Sequence, residues 1–85
     1  MEQEIEKVKD LVYNTKTTCM YGFKPKEIEE LLKNFPNIKR GDFNRALGVN
    51  TCMMHDGEIV TYHSDIELAL ITLIEDREKH LYEWD

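Results

Sequence analysis

The dipeptide Asp56-Gly57 is the feature that most limits how this chain can fold. Asp-Gly between two runs of strand-forming residues is typical of a two-residue hairpin loop, because a type I′ turn needs positive φ at both central positions. It predicts a β-hairpin over 50–63 with both faces partly apolar. The turn also sets the register, which pairs Thr51 with Tyr62, Cys52 with Thr61, Met53 with Val60, Met54 with Ile59, and His55 with Glu58.

Three helices are predicted before the hairpin. A stripe of apolar residues with charges elsewhere predicts an amphipathic helix over 2–14. Pro25 suits a first helical turn, and the apolar spacing that follows it predicts a helix over 25–35, ended by Pro36. A shorter helix is predicted over 39–47, closed by Gly48. Residues 17–21 are rich in strand formers and indicate either a short third strand or an ordered loop.

The last helix is predicted over 64–82, with Ser64 and Glu67 as a capping box. From Ile66 to Ile74 only Glu67 and Thr72 interrupt the apolar residues, so this helix is apolar over more than one face. It is either the central core helix or a dimer seam. As a seam it would contribute Ile66, Leu70, Leu73, Ile74 and Leu81, while Tyr82 and Trp84 are candidate partner contacts because Tyr and Trp are frequent interface anchors.

These elements predict one mostly helical α+β domain over 1–85. The N-terminus lacks the apolar region of a signal peptide, and no apolar run is long enough to span a membrane. We therefore expect a cytoplasmic protein with reduced thiols, and a Cys19–Cys52 disulfide only in an oxidising compartment. The net charge of −6 divides into −1 for 1–23, +2 for 24–45 and −7 for 46–85, so a local basic surface is expected only in the middle third.

Two groups of residues have the composition of a chemical site but not the spacing. Cys19, Cys52, His55 and His63 have the ligand types of a zinc site, yet Cys52 and His55 point to opposite faces of a strand. Tyr62-His-Ser-Asp65 has the residue types of a hydrolase triad, but neighbours in sequence cannot line up as nucleophile, base and orienter. We expect no enzyme activity, no metal and no cofactor.

The order helix, short strand, helix, helix, strand, turn, strand, helix resembles a winged helix-turn-helix domain with an added C-terminal helix. The resemblance covers about residues 4–63 and is one of element order. It implies a recognition helix over 39–47 and a wing over 50–63, with the last helix as a dimerisation helix. The acidic wing tip and Asp42 depart from DNA-binding use. The side chains offered to nucleic acid would be Lys39, Arg40, Asn44 and Arg45.

The function expected from the sequence is that of a small non-enzymatic interaction or regulatory protein, homodimeric through its last helix. Its partners would be a second copy of itself and another protein. The first alternative is a winged-helix DNA-binding regulator. The second is a small acidic inhibitor of a nucleoprotein, of the mobile-element type, which would use the acidic face of 75–85.

Overall fold

The computed structural model describes residues 2–47 and 52–79. It has the predicted α+β, mostly helical architecture. The elements are α1 (Glu2–Asn14), β1 (Gly22–Phe23), α2 (Pro25–Leu32), α3 (Arg40–Leu47), β2 (Cys52–His55), β3 (Glu58–Tyr62) and α4 (His63–Lys79). None of the helices in this part of the chain combines the length and the apolar character that crossing a bilayer requires.

The hairpin confirms the predicted register. All four predicted pairs that fall within β2 and β3 are observed, from Cys52 with Thr61 to His55 with Glu58. Asp56 and Gly57 have φ of 52° and 79°, the positive values that a type I′ turn requires. The predicted pair of Thr51 with Tyr62 lies outside the described residues. The antiparallel sheet has the strand order β1-β3-β2.

Of the two alternatives left open for residues 17–21, a short strand or an ordered loop, the structure shows the loop, and the third strand lies directly after it. It lies at Gly22–Phe23, where Gly22 is opposite Tyr62 and Phe23 is opposite Thr61. The preceding residues make a turn instead, in which the Gly22 N–H donates to the carbonyl of Cys19. Gly22 is needed for this pairing, since a Cβ there would lie 2.0 Å from the carbonyl oxygen of Thr61. The strand formers of 17–21 therefore do not pair with β3. The pairing occurs at Gly22, where the backbones approach so closely that only glycine fits.

The end of α2 and the start of α3 differ from the prediction. Helix α2 ends at Leu32 rather than at residue 35, and the N–H groups of Lys33, Asn34 and Phe35 donate three residues back. These three hydrogen bonds form a tighter turn after the α-helix, as is frequent at helix C-termini. Helix α3 begins at Arg40 rather than at residue 39, a difference within the usual fraying of helix ends.

The capping box predicted at Ser64 is wrong. Helix α4 begins one residue earlier, at His63, which places Ser64 inside the first turn. The carboxylate of Glu67 accepts a hydrogen bond from the Tyr13 hydroxyl at 2.8 Å. A cap of this kind occurs instead at α2, where the Glu27 carboxylate accepts from the N–H of Lys24 at 2.9 Å. The end of the predicted helix, 80–82, lies outside the described residues.

The core decides between the two roles predicted for the last helix. Helices α1 and α3 both pack on α4, and the cluster between them includes Val8, Val12, Phe23 and Phe43. Four predicted dimer-seam residues belong to the same cluster and are buried within the single chain: Ile66, Leu70, Leu73 and Ile74. These four are therefore core residues and are not exposed to a second copy. Leu81 lies outside the described residues.

Candidate functional site

The two faces of the sheet have different surroundings. Phe23 and Thr61 are opposite each other, share one face and are buried, and Phe23 belongs to the helical core cluster. Because side chains alternate along a strand, Tyr62 and Val60 of β3 point to the other face. Met53 and His55 share that face through their pairing with Val60 and Glu58. We call this side, away from the helices, the outer face.

The turn before β1 folds over the outer face. The ring of Tyr21 meets the imidazole of His55 edge to face, with 5.6 Å between the ring centroids. Tyr21 adjoins the edge strand β1, whereas His55 belongs to the opposite edge strand β2, so this contact crosses the central strand β3. Val60 of the central strand is fully buried although it lies outside the helical core cluster.

Polar contacts hold this turn in place. Glu27 Oε2 accepts from the N–H of Thr18 at 2.9 Å and from its hydroxyl at 3.0 Å. The Thr17 hydroxyl donates to the carbonyl of Cys19, and the N–H of Tyr21 donates to Cys19 Sγ at 3.4 Å. The same carboxylate that caps α2 thus ties down the turn, so the first turn of α2 positions Tyr21.

The electrostatic state of Glu27 reflects these contacts. Burial raises the pKa of its carboxyl group. The hydrogen bonds from Lys24 and Thr18, with the positive charge of Lys24, outweigh that effect and hold the pKa below the ordinary value of 4.5. Glu27 is consequently ionised at neutral pH and serves as a structural acceptor.

Several apolar side chains remain exposed on and beside the outer face. Met20 is 82% exposed, Tyr21 49% and Tyr62 37%. Met53 and His55 are half-buried on the same face. We define these five residues as the outer-face patch: Met20, Tyr21, Met53, His55 and Tyr62. Aromatic residues and methionine are enriched at protein interfaces, and charged residues are depleted at interface centres.

One ion pair and one histidine–carboxylate contact lie at the border of the outer-face patch. Lys24 Nζ lies 3.2 Å from Glu58 Oε2, which joins the start of α2 to the hairpin tip. His55 Nε2 lies 3.3 Å from Asp56 Oδ2. The negative charges of the hairpin tip therefore have nearby nitrogen partners, and the patch itself carries no carboxylate.

The residues predicted to contact nucleic acid lie together on α3 and in the residue before it. Lys39 and Asn44 are exposed, and Asn44 Oδ1 accepts from Arg40 Nε at 3.0 Å. Arg45 forms an ion pair with Asp42. Two of the three cations are therefore already engaged within the helix. The link from α2 to α3 runs over 33–39, longer than the three- or four-residue turn of a helix-turn-helix.

The imidazole of His63, one of the residues with hydrolase-triad chemistry, contacts two aromatic rings. Its ring stacks against Tyr13, with centroids 6.2 Å apart, and meets Phe23 edge to face at 5.3 Å. Tyr13 also donates to Glu67, and this hydrogen bond is the main reason that the pKa of Tyr13 is raised. The contacts of Tyr13 with His63 and Glu67 join the end of α1 to the start of α4. Ser64 is exposed on the first turn of α4.

Cys19, His55 and His63, considered as metal ligands with Cys52, lie in different elements: the turn before β1, strand β2 and the start of α4. Within the described residues, no three side chains among His, Cys, Asp and Glu come together as a metal ion would require. Cys19 is a free, buried thiol in the turn before β1, and His63 is enclosed by aromatic rings. Tyr82 and Trp84, predicted as partner contacts, lie outside the described residues.

The outer-face patch as a whole was not predicted as a site. The sequence indicates Met20, Met53 and Met54 as either a soft binding surface or core-filling residues and favours the core, whereas Met20 and Met54 are 82% and 64% exposed. Met53 and His55 were correctly paired with Val60 and Glu58, but the importance of Met20 and Tyr21 depends on where the turn before β1 lies. A signal was present in the sequence: a hairpin with apolar residues on both faces needs two covering surfaces, and the helices supply only one. The segment 17–21 was the remaining candidate for the second.

Comparison with protein-family models, with curated protein sequences and with solved structures found no match for this chain.

Proposed function

We propose that this chain is a non-enzymatic protein-interaction domain whose binding surface is the outer-face patch. The observation that carries the proposal is the exposure of Met20, Tyr21 and Tyr62 beside a sheet whose other face contributes Phe23 to the core. The helices enclose a full apolar cluster without these side chains. Their exposure therefore serves no purpose in the core of the single chain.

Rigidity supports the same function. The turn that presents Met20 and Tyr21 is fixed by Glu27, and Tyr21 is braced against His55. A side chain that is already ordered loses less conformational entropy when a partner covers it. Tyr is also among the residues that most often contribute large shares of binding energy.

The two alternative functions have weaker support. The nucleic-acid surface on α3 has Arg40 and Arg45 engaged in local pairs, and the chain as a whole carries −6. A winged-helix assignment rests on element order alone. The acidic surface of 75–85, on which the inhibitor hypothesis depends, lies mostly outside the described residues.

We place the protein in the cytoplasm in this proposal, where the free thiol of Cys19 would stay reduced.

Matched charge insertions test the proposed surface. Met20→Glu puts a carboxylate in the outer-face patch, and Leu68→Glu puts one on the exposed side of α4, where Leu68 is 64% exposed. Tagged wild-type and variant chains would be used to capture proteins from cells that express the chain. We expect proteins captured by the wild type to be retained by Leu68→Glu and lost by Met20→Glu.

Two results would contradict the proposal. The first is the same set of captured proteins with all three chains. The second is loss with Leu68→Glu alone, which would move the binding surface to α4. Circular dichroism of each variant confirms that both substitutions, at exposed positions, leave the fold intact.

A further inference from the structure

The two edge strands of the sheet differ in how well they are protected against pairing with a further strand. Strand β1 is only two residues long, and Pro25 follows it closely at the start of α2. Strand β2 forms the other edge, and no described residue pairs with its free side. Edge strands of folded proteins usually carry a lysine, a proline or a bulge, because an unpaired edge is a template for another strand. Strand β2 has no lysine and no proline, and its register with β3 is unbroken.

The backbone of Met54 is turned toward this open edge. The two-residue turn makes His55 and Glu58 a hydrogen-bonded pair, because a β-turn closes between its first and fourth residues. Hydrogen-bonded and non-hydrogen-bonded pairs alternate along an antiparallel ladder, so Met54 and Ile59 form a pair of the second kind. The N–H and C=O of Met54 therefore point away from β3. Within the part of the chain that the structure describes, no other backbone group forms a hydrogen bond with them.

Both faces of the hairpin offer side chains next to this edge. Met53 and His55, which belong to the outer-face patch, lie on one face of β2. Met54 and Ile59 are opposite each other on the other face, and both are exposed. A strand added beside β2 would place alternate side chains on these two faces. It would thus contact the outer-face patch while its backbone pairs with the edge.

The charge around β2 indicates what kind of segment fits there. The chain carries −6, and residues 46–85 account for −7 of the charge balance. Asp56 and Glu58 lie at the hairpin tip beside the open edge, and the side chain of Asp56 is 85% exposed. A second copy would bring the same negative charge and be repelled. Lysine or arginine side chains on an incoming strand would instead be attracted to this part of the molecule.

We propose that an extended, basic segment of another protein binds by adding a strand to the open edge of β2. The inference rests on the proposed interaction function and states how the partner lies on the outer-face patch. Main-chain hydrogen bonds to Met54 would hold the segment in place. Its alternate side chains would contact Met53 and His55 on one face and Ile59 on the other.

Titration of the isotope-labelled full chain with synthetic octapeptides, followed by NMR, tests the inference. One peptide alternates lysine with valine, and the other has glutamate in place of each lysine. At about 50 mM salt we expect the lysine peptide to bind at least about tenfold more tightly than the glutamate peptide, and to bind less tightly as salt is added. Amide shifts should concentrate at residues 52–55. Hydrogen exchange of the Met54 amide should slow about tenfold or more when the lysine peptide saturates the chain.

Two substitutions at one position test the backbone contact. Met54→Pro removes the outward N–H and leaves the ladder with β3 in place, because proline is tolerated on an edge strand where its nitrogen faces away from the sheet. It should weaken binding of the lysine peptide about tenfold or more. Met54→Leu is the control, since it keeps the N–H and an apolar side chain of similar size, and its affinity should stay within about twofold of the wild type. Circular dichroism checks the fold of both variants, and the exchange rate of the wild-type Met54 amide tests the same hydrogen bond without a substitution.

Three outcomes would overturn the inference. The first is no binding of the lysine peptide up to millimolar concentration, and the second is equal or tighter binding of the glutamate peptide. The third is binding that leaves exchange of the Met54 amide unchanged.

Capture of proteins from cells separates this inference from the proposed function. If Met20→Glu loses the captured proteins and Met54→Pro keeps them, the outer-face patch is the binding surface and only the strand addition is wrong. If both variants capture the same proteins as the wild type, both proposals fail.

Discussion

At the scale of single residues, backbone geometry at one glycine and three hydrogen bonds at one carboxylate shape the outer-face patch. Gly22 allows β1 to pair closely with β3, and the turn before it carries Met20 and Tyr21. Glu27 fastens that turn to α2. The sheet edge and the exposed aromatic surface therefore depend on the same short segment.

Replacing Gly22 tests this close approach. Gly22→Ala should lower the free energy of unfolding by about 3 kcal/mol, because its Cβ would lie 2.0 Å from a backbone oxygen that cannot move without disturbing the sheet. Urea denaturation followed by circular dichroism measures the change. Gly41→Ala is the control: a Cβ at this helical position meets nothing within 4 Å, so we expect a gain of about 0.5 kcal/mol. Equal changes in the free energy of unfolding for Gly22→Ala and Gly41→Ala would show that the close approach at Gly22 does not matter.

The lowered pKa of Glu27 predicts how stability depends on pH. A carboxyl whose pKa is lower in the folded state stabilises the fold above its unfolded pKa of 4.5, and this contribution is lost as pH falls through the folded value. Glu27→Gln should therefore cost about 1 kcal/mol at pH 7 and progressively less below about pH 4. Urea denaturation at pH 7 and pH 3 measures both values. Glu29→Gln, at an exposed position of α2, should change little at either pH, and a deficit for Glu27→Gln that grows in acid would contradict the prediction.

At the scale of elements, α4 shows why an apolar helix is ambiguous in sequence. Its long apolar run suits a central helix and a dimer seam equally well. The structure places α1 and α3 against it, so most of its apolar residues are covered within one chain. Leu68 remains exposed.

Alanine substitutions at Leu70 and Leu68 separate the two roles. Leu70→Ala should lower the free energy of unfolding by about 3 kcal/mol, because it leaves a cavity at a fully buried position. Leu68→Ala should change it by less than about 0.5 kcal/mol. Measured by urea denaturation at low micromolar concentration, both effects should be independent of protein concentration. A loss at Leu70 that diminishes as concentration rises would instead indicate a seam between copies.

At the scale of the whole molecule, the net charge of −6 opposes binding to phosphate backbones, although the middle third is basic. Arg40 is paired with Asn44 and Arg45 with Asp42, so fewer free positive side chains in residues 24–45 are left to contact phosphates. We therefore expect no measurable binding to duplex DNA at about 50 mM salt, measured by fluorescence anisotropy. Binding that falls steeply with salt and is lost in an Arg40→Glu, Arg45→Glu variant would restore the DNA-binding hypothesis.

The sequence by itself determined the local features of this protein. Asp56-Gly57 placed the hairpin and its register, because a two-residue turn with positive φ leaves one pairing of the strands. Apolar spacing and proline placed the helices to within a few residues, since these signals act within one or two turns of a helix.

Only the tertiary structure decided how the elements cover one another. Contacts between residues far apart in the chain decide two questions. One is whether Leu70 faces a second copy or packs against α1 and α3. The other is whether 17–21 forms a strand or covers the sheet. The position of Tyr21 over β3 is the clearest case. It follows from the pairing of Gly22 with Tyr62, from Glu27 and from His55, and no local pattern around Tyr21 encodes those three contacts together.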